Sequence, residues 1–193
     1  MKPKIIGLTG PIASGKSSVA KVLRRRGAYV IDVDEIGHLL LTPQSDVWRE
    51  LVKTFGSKIL MAGGKVNKRK LSQIVFSNSK LLKKLNSIMH PRMRREILSE
   101  VRGARREKYK LIVINAAVLK EIGLTPFVDE VWVVLSSKKK RLSRLLKLGF
   151  SKEEALKRIK AQMADRGYRK IADKVIENNG AKKQLYLHIR DLA

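Results

Sequence analysis

Three observations predict an α/β fold built on a parallel sheet of about five strands. Short apolar runs recur along the chain and alternate with longer stretches of helical periodicity. The first run leads into GPIASGKS at 10–17, a glycine-rich turn that ends in Lys-Ser and opens directly into a helix-forming segment. Hydrophobic residues make up 44% of the 193-residue chain, enough for a packed core in one domain with an inserted subdomain.

The elements follow in order. KIIGLT at 4–9 reads as a buried strand. KSSVAKVLRRR at 16–26 reads as a helix with Val19, Val22 and Leu23 on one face, and Gly27 stands where a helix-ending glycine is expected. YVIDV at 29–33 is a second strand, LIVIN at 111–115 a third, VWVVL at 131–135 a fourth and KVIEN at 174–178 a weaker fifth. Between strands two and three, residues 35–110 are basic and mostly helical. Leu71, Ile74 and Val75, then Leu81, Leu82, Leu85, Ile88 and Met89, recur at helical spacing. Gly63-Gly64 marks a turn, and Pro91 is expected to open or break a helix. Residues 137–171 form a second basic helical stretch, interrupted at Gly149-Phe150-Ser151, with Ser151 and Glu153-Glu154 as a helix cap and first-turn acids.

Gly10, Gly15, Lys16 and Ser17 satisfy G-x-x-x-x-G-K-[ST], with a strand before and a helix after. Such a P-loop turns backbone N–H groups, including those of Ala13, Ser14 and Ser18, toward phosphate oxygens, and the helix start adds its positive dipole end. Lys16 is expected to reach the β- and γ-phosphates of ATP, and Ser17 to place its hydroxyl on Mg²⁺. Inside the loop, Pro11 lacks an N–H and Ala13 stands where glycine would allow any backbone angle.

Asp32 and Asp34 end the second strand. Two residues apart on a strand, they are expected to point the same way, at the edge where open α/β sheets bind ligands. Carboxylates there can serve as base and as Mg²⁺ ligand. The competing reading makes them caps of the following helix.

The net charge is +26, from 43 Lys and Arg against 17 Asp and Glu. It is spread along the chain, in 41–110 and again in 136–183, and suits polyanions: phosphorylated small molecules, nucleic acid or acidic lipid. A plain solvated basic surface reads equally well. Cysteine is absent, which excludes disulfides and thiolate metal sites and fits a reducing compartment. The apolar stretch at the N-terminus is too short for a signal peptide or a membrane span, so a cytoplasmic protein with no membrane partner is expected. His38 reads as a helix-surface or packing residue and His188 as structural. Trp48 and Trp132 read as core or groove residues.

These blocks together resemble the dephospho-CoA kinase family along nearly the whole chain. The resemblance is carried by IIGLTGPIASGKSSVA at the start, VIDVDEIGH at 30–38, Thr42-Pro43, GKVNKRKLSQIVF at 64–76, MHP at 89–91, Glu121, FVDEVWVV at 127–134, SKEEALKRIKAQ at 151–162 and ADKVIENNG at 172–180. It implies a P-loop NTPase fold with a core of about 1–36, 111–136 and 172–193. A helical acceptor subdomain of about 37–110 and a helical lid of about 137–171 would complete it. It also implies transfer of the ATP γ-phosphate to the ribose 3′-hydroxyl of dephospho-CoA by a protein expected to be a monomer. Asp34 would be the base, with Asp32 assisting through Mg²⁺ or orientation. Arg141, Arg144 and Lys147 would clamp ATP phosphates, Asn178 would lie near the adenine, and Lys68, Arg69 and His90 would face the acceptor.

The chain departs from the family pattern in the lid, where the Arg-x-x-x-Arg spacing is blurred, and in two other places. Lys68 stands where arginine is usual, with Arg69 beside it. Asn115-Ala116-Ala117-Val118-Leu119-Lys120-Glu121 replaces a run with an acid and a proline. Two other functions stay open at this point: a related small-molecule or nucleoside monophosphate kinase, and a nucleic-acid binder switched by ATP. The latter is disfavoured by an aromatic content of only 5%.

Overall fold

The computed structural model describes residues 2–180, 184–187 and 189; His188 lies outside the described residues. Five strands form one sheet: β1 (Lys4–Thr9), β2 (Tyr29–Asp32), β3 (Leu111–Asn115), β4 (Glu130–Leu135) and β5 (Lys174–Glu177), in the order β2-β3-β1-β4-β5. The pairings β1–β3, β1–β4 and β4–β5 are all parallel. Every residue of β1 and β4 after the first is buried, as it is in β3. Burial of successive residues means that both faces of these strands are covered, and that is why their sequences are unbroken runs of Ile, Val and Leu rather than alternating ones. Each strand agrees with its expected span to within one residue. The exception that matters is Val33, which begins a helix instead of ending β2.

The chain forms two compact units, one of residues 1–31 with 101–193 and one of residues 32–100. The first holds the sheet. Its core joins Ile6 and Leu8 of β1, Val113 of β3, Trp132 and Val134 of β4, and Val19, Ala20 and Leu23 of helix α1 (Lys16–Arg25). Trp132 is fully buried and donates its indole N–H to Glu130 Oε2 at 2.7 Å. At the amino ends of the strands, two aspartates do the same job. Asp129 accepts from Ile5 N at 2.7 Å and Asp173 from Val131 N at 2.7 Å, so each carboxylate fills a ladder position that a neighbouring strand leaves open. Helices α6 (Lys138–Lys147), α7 (Lys152–Lys160) and α8 (Asp165–Lys170) lie between β4 and β5. The expected break falls at Gly149–Ser151, and Ser151 with Glu154 forms a reciprocal capping box at the start of α7.

The second unit is helical: α2 (Val33–Leu40), α3 (Asp46–Phe55), α4 (Lys68–Phe76) and most of α5 (Ser79–Arg106). Its core gathers the periodic residues: Leu71 and Val75 of α4 pack with Val47, Leu51 and Phe55 of α3 and with Ile88 of α5, and Leu81, Leu82, Leu85 and Met89 close around them. The Gly63-Gly64 turn is present, and Trp48 donates its indole N–H to the Gly64 carbonyl at 2.8 Å. Pro91 corrects an expectation. It neither opens nor breaks a helix but lies inside α5, which runs 28 residues. Pro91 and Ser87, whose carbonyl the ring deprives of an N–H partner, are both exposed. Water can therefore take the freed carbonyl, and packing of the helix's other face holds it together.

Candidate active site

The phosphate loop is built by β1 and α1. β1 ends at Thr9, and Gly10 turns the chain with φ +144. A Cβ on Gly10 would lie 2.2 Å from the Val134 carbonyl oxygen, so only glycine fits between the loop and β4. Ala13 adopts φ 57, a left-handed conformation that costs a non-glycine residue about 1 kcal/mol. At the other end, Gly15 caps α1 with φ +103 and supplies no side-chain bond to the helix start. The first turn of α1 thus offers N–H groups and a positive dipole end to an anion. Lys16 Nζ donates to the carbonyls of Gly10 (2.8 Å) and Pro11 (3.3 Å), which holds the ammonium over the loop. Ser14 is fully buried and its hydroxyl has no internal partner. Ser17 and Ser18 are exposed. The Lys16 ammonium, the serine hydroxyls and the start of α1 together suit a triphosphate.

Other residues hold the loop from behind. Arg144 on α6 donates to the carbonyls of Ala13 (2.8 Å), Ser14 (2.9 Å) and Asn178 (3.1 Å). Asn178, just past β5 and buried, donates its side-chain amide to the Ser14 carbonyl at 2.8 Å. A Cβ on Gly15 would fall 2.0 Å from that amide nitrogen, so this second glycine is required both by its backbone angle and by the space Asn178 fills. Arg144 and Asn178 consequently sit on the loop's carbonyls.

Arg141, one turn before Arg144, is buried; its Nε and Nη1 have no hydrogen-bond partner, and its Nη2 lies 3.8 Å from the Asp165 carboxylate. A buried guanidinium with two uncommitted N–H positions is costly unless an anion completes it. It lines a cavity of about 580 Å³ together with Lys138, Lys157, Lys160, Gln162 and Asp165. Tyr168 is also buried; loss of hydration pushes its phenol up, the charge of Glu121 adds to this and Arg141 opposes it.

The acid pair is arranged differently from its expected strand geometry. β2 stops at Asp32, whose carboxylate accepts the Asp34 N–H at 3.0 Å and caps α2; Asp34 lies exposed in the first turn of that helix. Strand alternation therefore does not set their directions. The strand-to-helix change one residue early places both carboxylates at the positive end of α2. Farther along the same unit, Lys68 and Arg69 are exposed in the first turn of α4, which Asn67 caps, and His90 is half-buried within α5. His38 is exposed on α2. Asn115, which stands where the family has an acid, is buried at the end of β3, and Ala116 continues that strand's pairing by donating to the Leu8 carbonyl at 3.0 Å.

Comparison with known proteins names the donor-lined loop. The family model described as dephospho-CoA kinase matches residues 4–184. The chain belongs to the dephospho-CoA kinase family. A dephospho-CoA kinase of Geobacillus kaustophilus is 43% identical over 180 residues, covering 93% of this chain and 90% of that protein. One of Carboxydothermus hydrogenoformans is 42% identical over 178 residues, covering 92% and 86%. A crystal structure from Thermus thermophilus has a TM-score of 0.85 at 32% identity, covering 100% of this chain and 97% of that one. Family membership makes the chain an ATP-dependent kinase with a P-loop α/β fold. The most informative site residue that the sequence reading left without a role is Gln162. Its side-chain oxygen accepts the N–H of Ile12 in the loop at 2.7 Å. Gln162 closes the SKEEALKRIKAQ block, but nothing local shows what it does, because its partner lies 150 residues away.

Proposed function

We propose that the chain transfers the γ-phosphoryl group of ATP to the ribose 3′-hydroxyl of dephospho-CoA, giving coenzyme A and ADP. The observation that carries this reading is the phosphate loop: a helix start without a side-chain cap and Lys16 held over the loop, in a chain of this family. Transfer of this kind is mainly positioning and neutralisation of charge that builds on the phosphate oxygens. Gly10, Ala13, Ser14, Gly15, Lys16, Ser17 and Ser18 hold the triphosphate. Arg144 and Asn178 fix the loop's shape, and Arg141 meets phosphate with its two uncommitted N–H positions. Asp34 takes the proton from the 3′-hydroxyl as the new P–O bond forms and the bond to ADP breaks. Lys68, Arg69 and His90 serve the acceptor, in the helical subdomain of about 37–110, and residues of about 137–171 act as a lid.

Among the described residues no group of three or more His, Asp or Glu could hold a metal. Ser17, through its hydroxyl, and Asp32, through its carboxylate, are the residues that would hold Mg²⁺, which would supply neutralisation of phosphate charge. No described helix is long and apolar enough to cross a membrane. We take the enzyme to be a cytoplasmic monomer, in keeping with a cysteine-free chain.

The test is an ADP-release assay with dephospho-CoA as acceptor. Wild type turns over. Lys16→Ala and Asp34→Asn remain folded by circular dichroism and lose activity, the latter by about 10²–10⁴-fold, the usual worth of a positioned base. Equal or better turnover with AMP, CMP or dTMP in place of dephospho-CoA would sink the acceptor assignment. Near-wild-type turnover in folded Lys16→Ala would sink the donor site.

A further inference from the structure

Two residues of the phosphate loop outside its fixed glycine, lysine and serine positions, Ile12 and Ala13, are apolar and half-buried. They pack against a small core between α6 and α7, formed by Leu145, Ala155 and Ile159 with Leu142 and Phe150 around it. The loop therefore rests on the α6–α7 pair by a hydrophobic contact as well as by Arg144. Apolar contact fixes proximity but not orientation, since it has no direction. Direction comes from hydrogen bonds. Arg144 aims the carbonyls of Ala13 and Ser14 backward. On the other side of Ala13, the Ile12 N–H points to the oxygen of Gln162, two residues beyond the end of α7. The Pro11–Ile12 peptide is thus held at both ends, its N–H by Gln162 and its carbonyl by Ser14 N (3.2 Å) and Lys16 Nζ (3.3 Å), and has little freedom to rotate. Gln162 also lines the cavity that Arg141 enters, so it stands between the phosphate loop and the buried guanidinium.

Building on the assignment of ATP to this loop, we propose that Gln162 is a positioning residue for the donor nucleotide: by accepting the Ile12 N–H it locks the orientation of the loop to α7, and it does so without adding a second negative charge to the cavity where Asp165 already faces Arg141. The amide is suited to both tasks. It accepts the N–H as a carboxylate would, but carries no charge next to a bound polyphosphate. Glutamate at this position would keep the hydrogen bond and add the charge; alanine would remove the bond and add none.

The pair separates the two contributions in initial-rate kinetics with ATP and dephospho-CoA varied independently. In Gln162→Ala, KM for ATP rises about tenfold, the worth of one hydrogen bond that orders a partly buried peptide, while kcat changes less than about threefold and KM for dephospho-CoA holds. In Gln162→Glu, whose carboxyl is ionised near neutral pH, KM for ATP exceeds the wild-type value by a ratio that shrinks as added salt screens the new charge from the phosphates. A folded Gln162→Ala with KM for ATP within about twofold of wild type overturns the proposal, as does a Gln162→Glu ratio that stays flat with salt; the thresholds sit well inside the effect of a lost hydrogen bond. If Gln162→Ala fails to fold, Gln162→Glu decides alone, because it preserves the acceptor. Lys16→Ala distinguishes the two levels. Full turnover there overturns the ATP assignment itself, whereas lost turnover there beside an unchanged KM in Gln162→Ala overturns only the role of Gln162.

Discussion

At the scale of single residues, the donor site depends on atoms that are missing as much as on those present. Gly15 shows this most sharply. Its φ of +103 lies where side chains rarely go, and its missing Cβ leaves the space into which Asn178 reaches to hold the Ser14 carbonyl. Gly15→Ala meets two independent penalties. The backbone angle costs about 1–3 kcal/mol. The methyl also collides with the Asn178 amide at 2.0 Å and must push it off the loop. We expect the variant to unfold at lower denaturant concentration than wild type and to lose ATP binding. Adding Asn178→Ala relieves the collision but not the backbone angle. The double variant should therefore recover part of the stability and little of the ATP affinity, because the Ser14 carbonyl keeps Arg144 but has lost the Asn178 amide. Urea titration and nucleotide titration on the same samples check both parts. Recovery of full stability would mean that the backbone angle carries no cost.

At the scale of elements, α5 contains the clearest conflict between local preference and tertiary packing. Proline inside a helix removes one hydrogen bond and crowds the preceding turn, yet α5 continues through Pro91 because Ile88 and Met93 on its buried face are held in place. Pro91→Ala restores the bond to the exposed Ser87 carbonyl. It should raise unfolding free energy, by about 1–3 kcal/mol on helix-propensity grounds, and raise the midpoint of thermal unfolding. A lower midpoint would show that Pro91 is needed for the shape of α5. The same helix shows where local reading stops. Strands such as LIVIN and VWVVL were legible because burial on both faces demands unbroken apolar runs. The loop was legible because its spacing is its mechanism. Pro91 was misjudged because a local rule cannot weigh the packing of residues that flank it. Asp32 lies at the end of β2 as expected and caps α2 as the competing reading has it; the shared strand direction expected of Asp32 and Asp34 fails because α2 already begins at Val33. The contacts of Arg144, Asn178 and Gln162 with the loop span 130 to 164 residues and leave no periodic or spacing signal at all.

At the scale of the whole molecule, the +26 charge means that each remaining carboxylate faces a surplus of cations. Self-repulsion works against the compact state, and pairs that offset it gain importance as acid removes negative charge. Glu130 is the best-placed pair member in the sheet. It opens β4, takes Lys4 of β1 at 2.7 Å through one oxygen, and takes the Trp132 indole and, at 3.7 Å, Lys174 of β5 through the other. The hydrogen bond from Lys4, followed by that from Trp132, holds its carboxyl below the ordinary glutamate value, against a smaller opposing effect of burial. A carboxylate whose folded pKa is lowered stabilises the fold in full above its unfolded pKa. That contribution fades as pH falls through the folded value. Removing it also leaves Lys4 and Lys174 facing each other's strands without the intervening negative charge. Glu130→Gln should thus be less stable than wild type at pH 7. The difference should shrink as pH drops below the glutamate range and vanish once Glu130 is protonated in both folded and unfolded chains. Urea unfolding across a pH series measures it. A gap between the two proteins that stays constant down to the lowest pH would assign the loss to packing around Trp132 rather than to the charge that joins three strands.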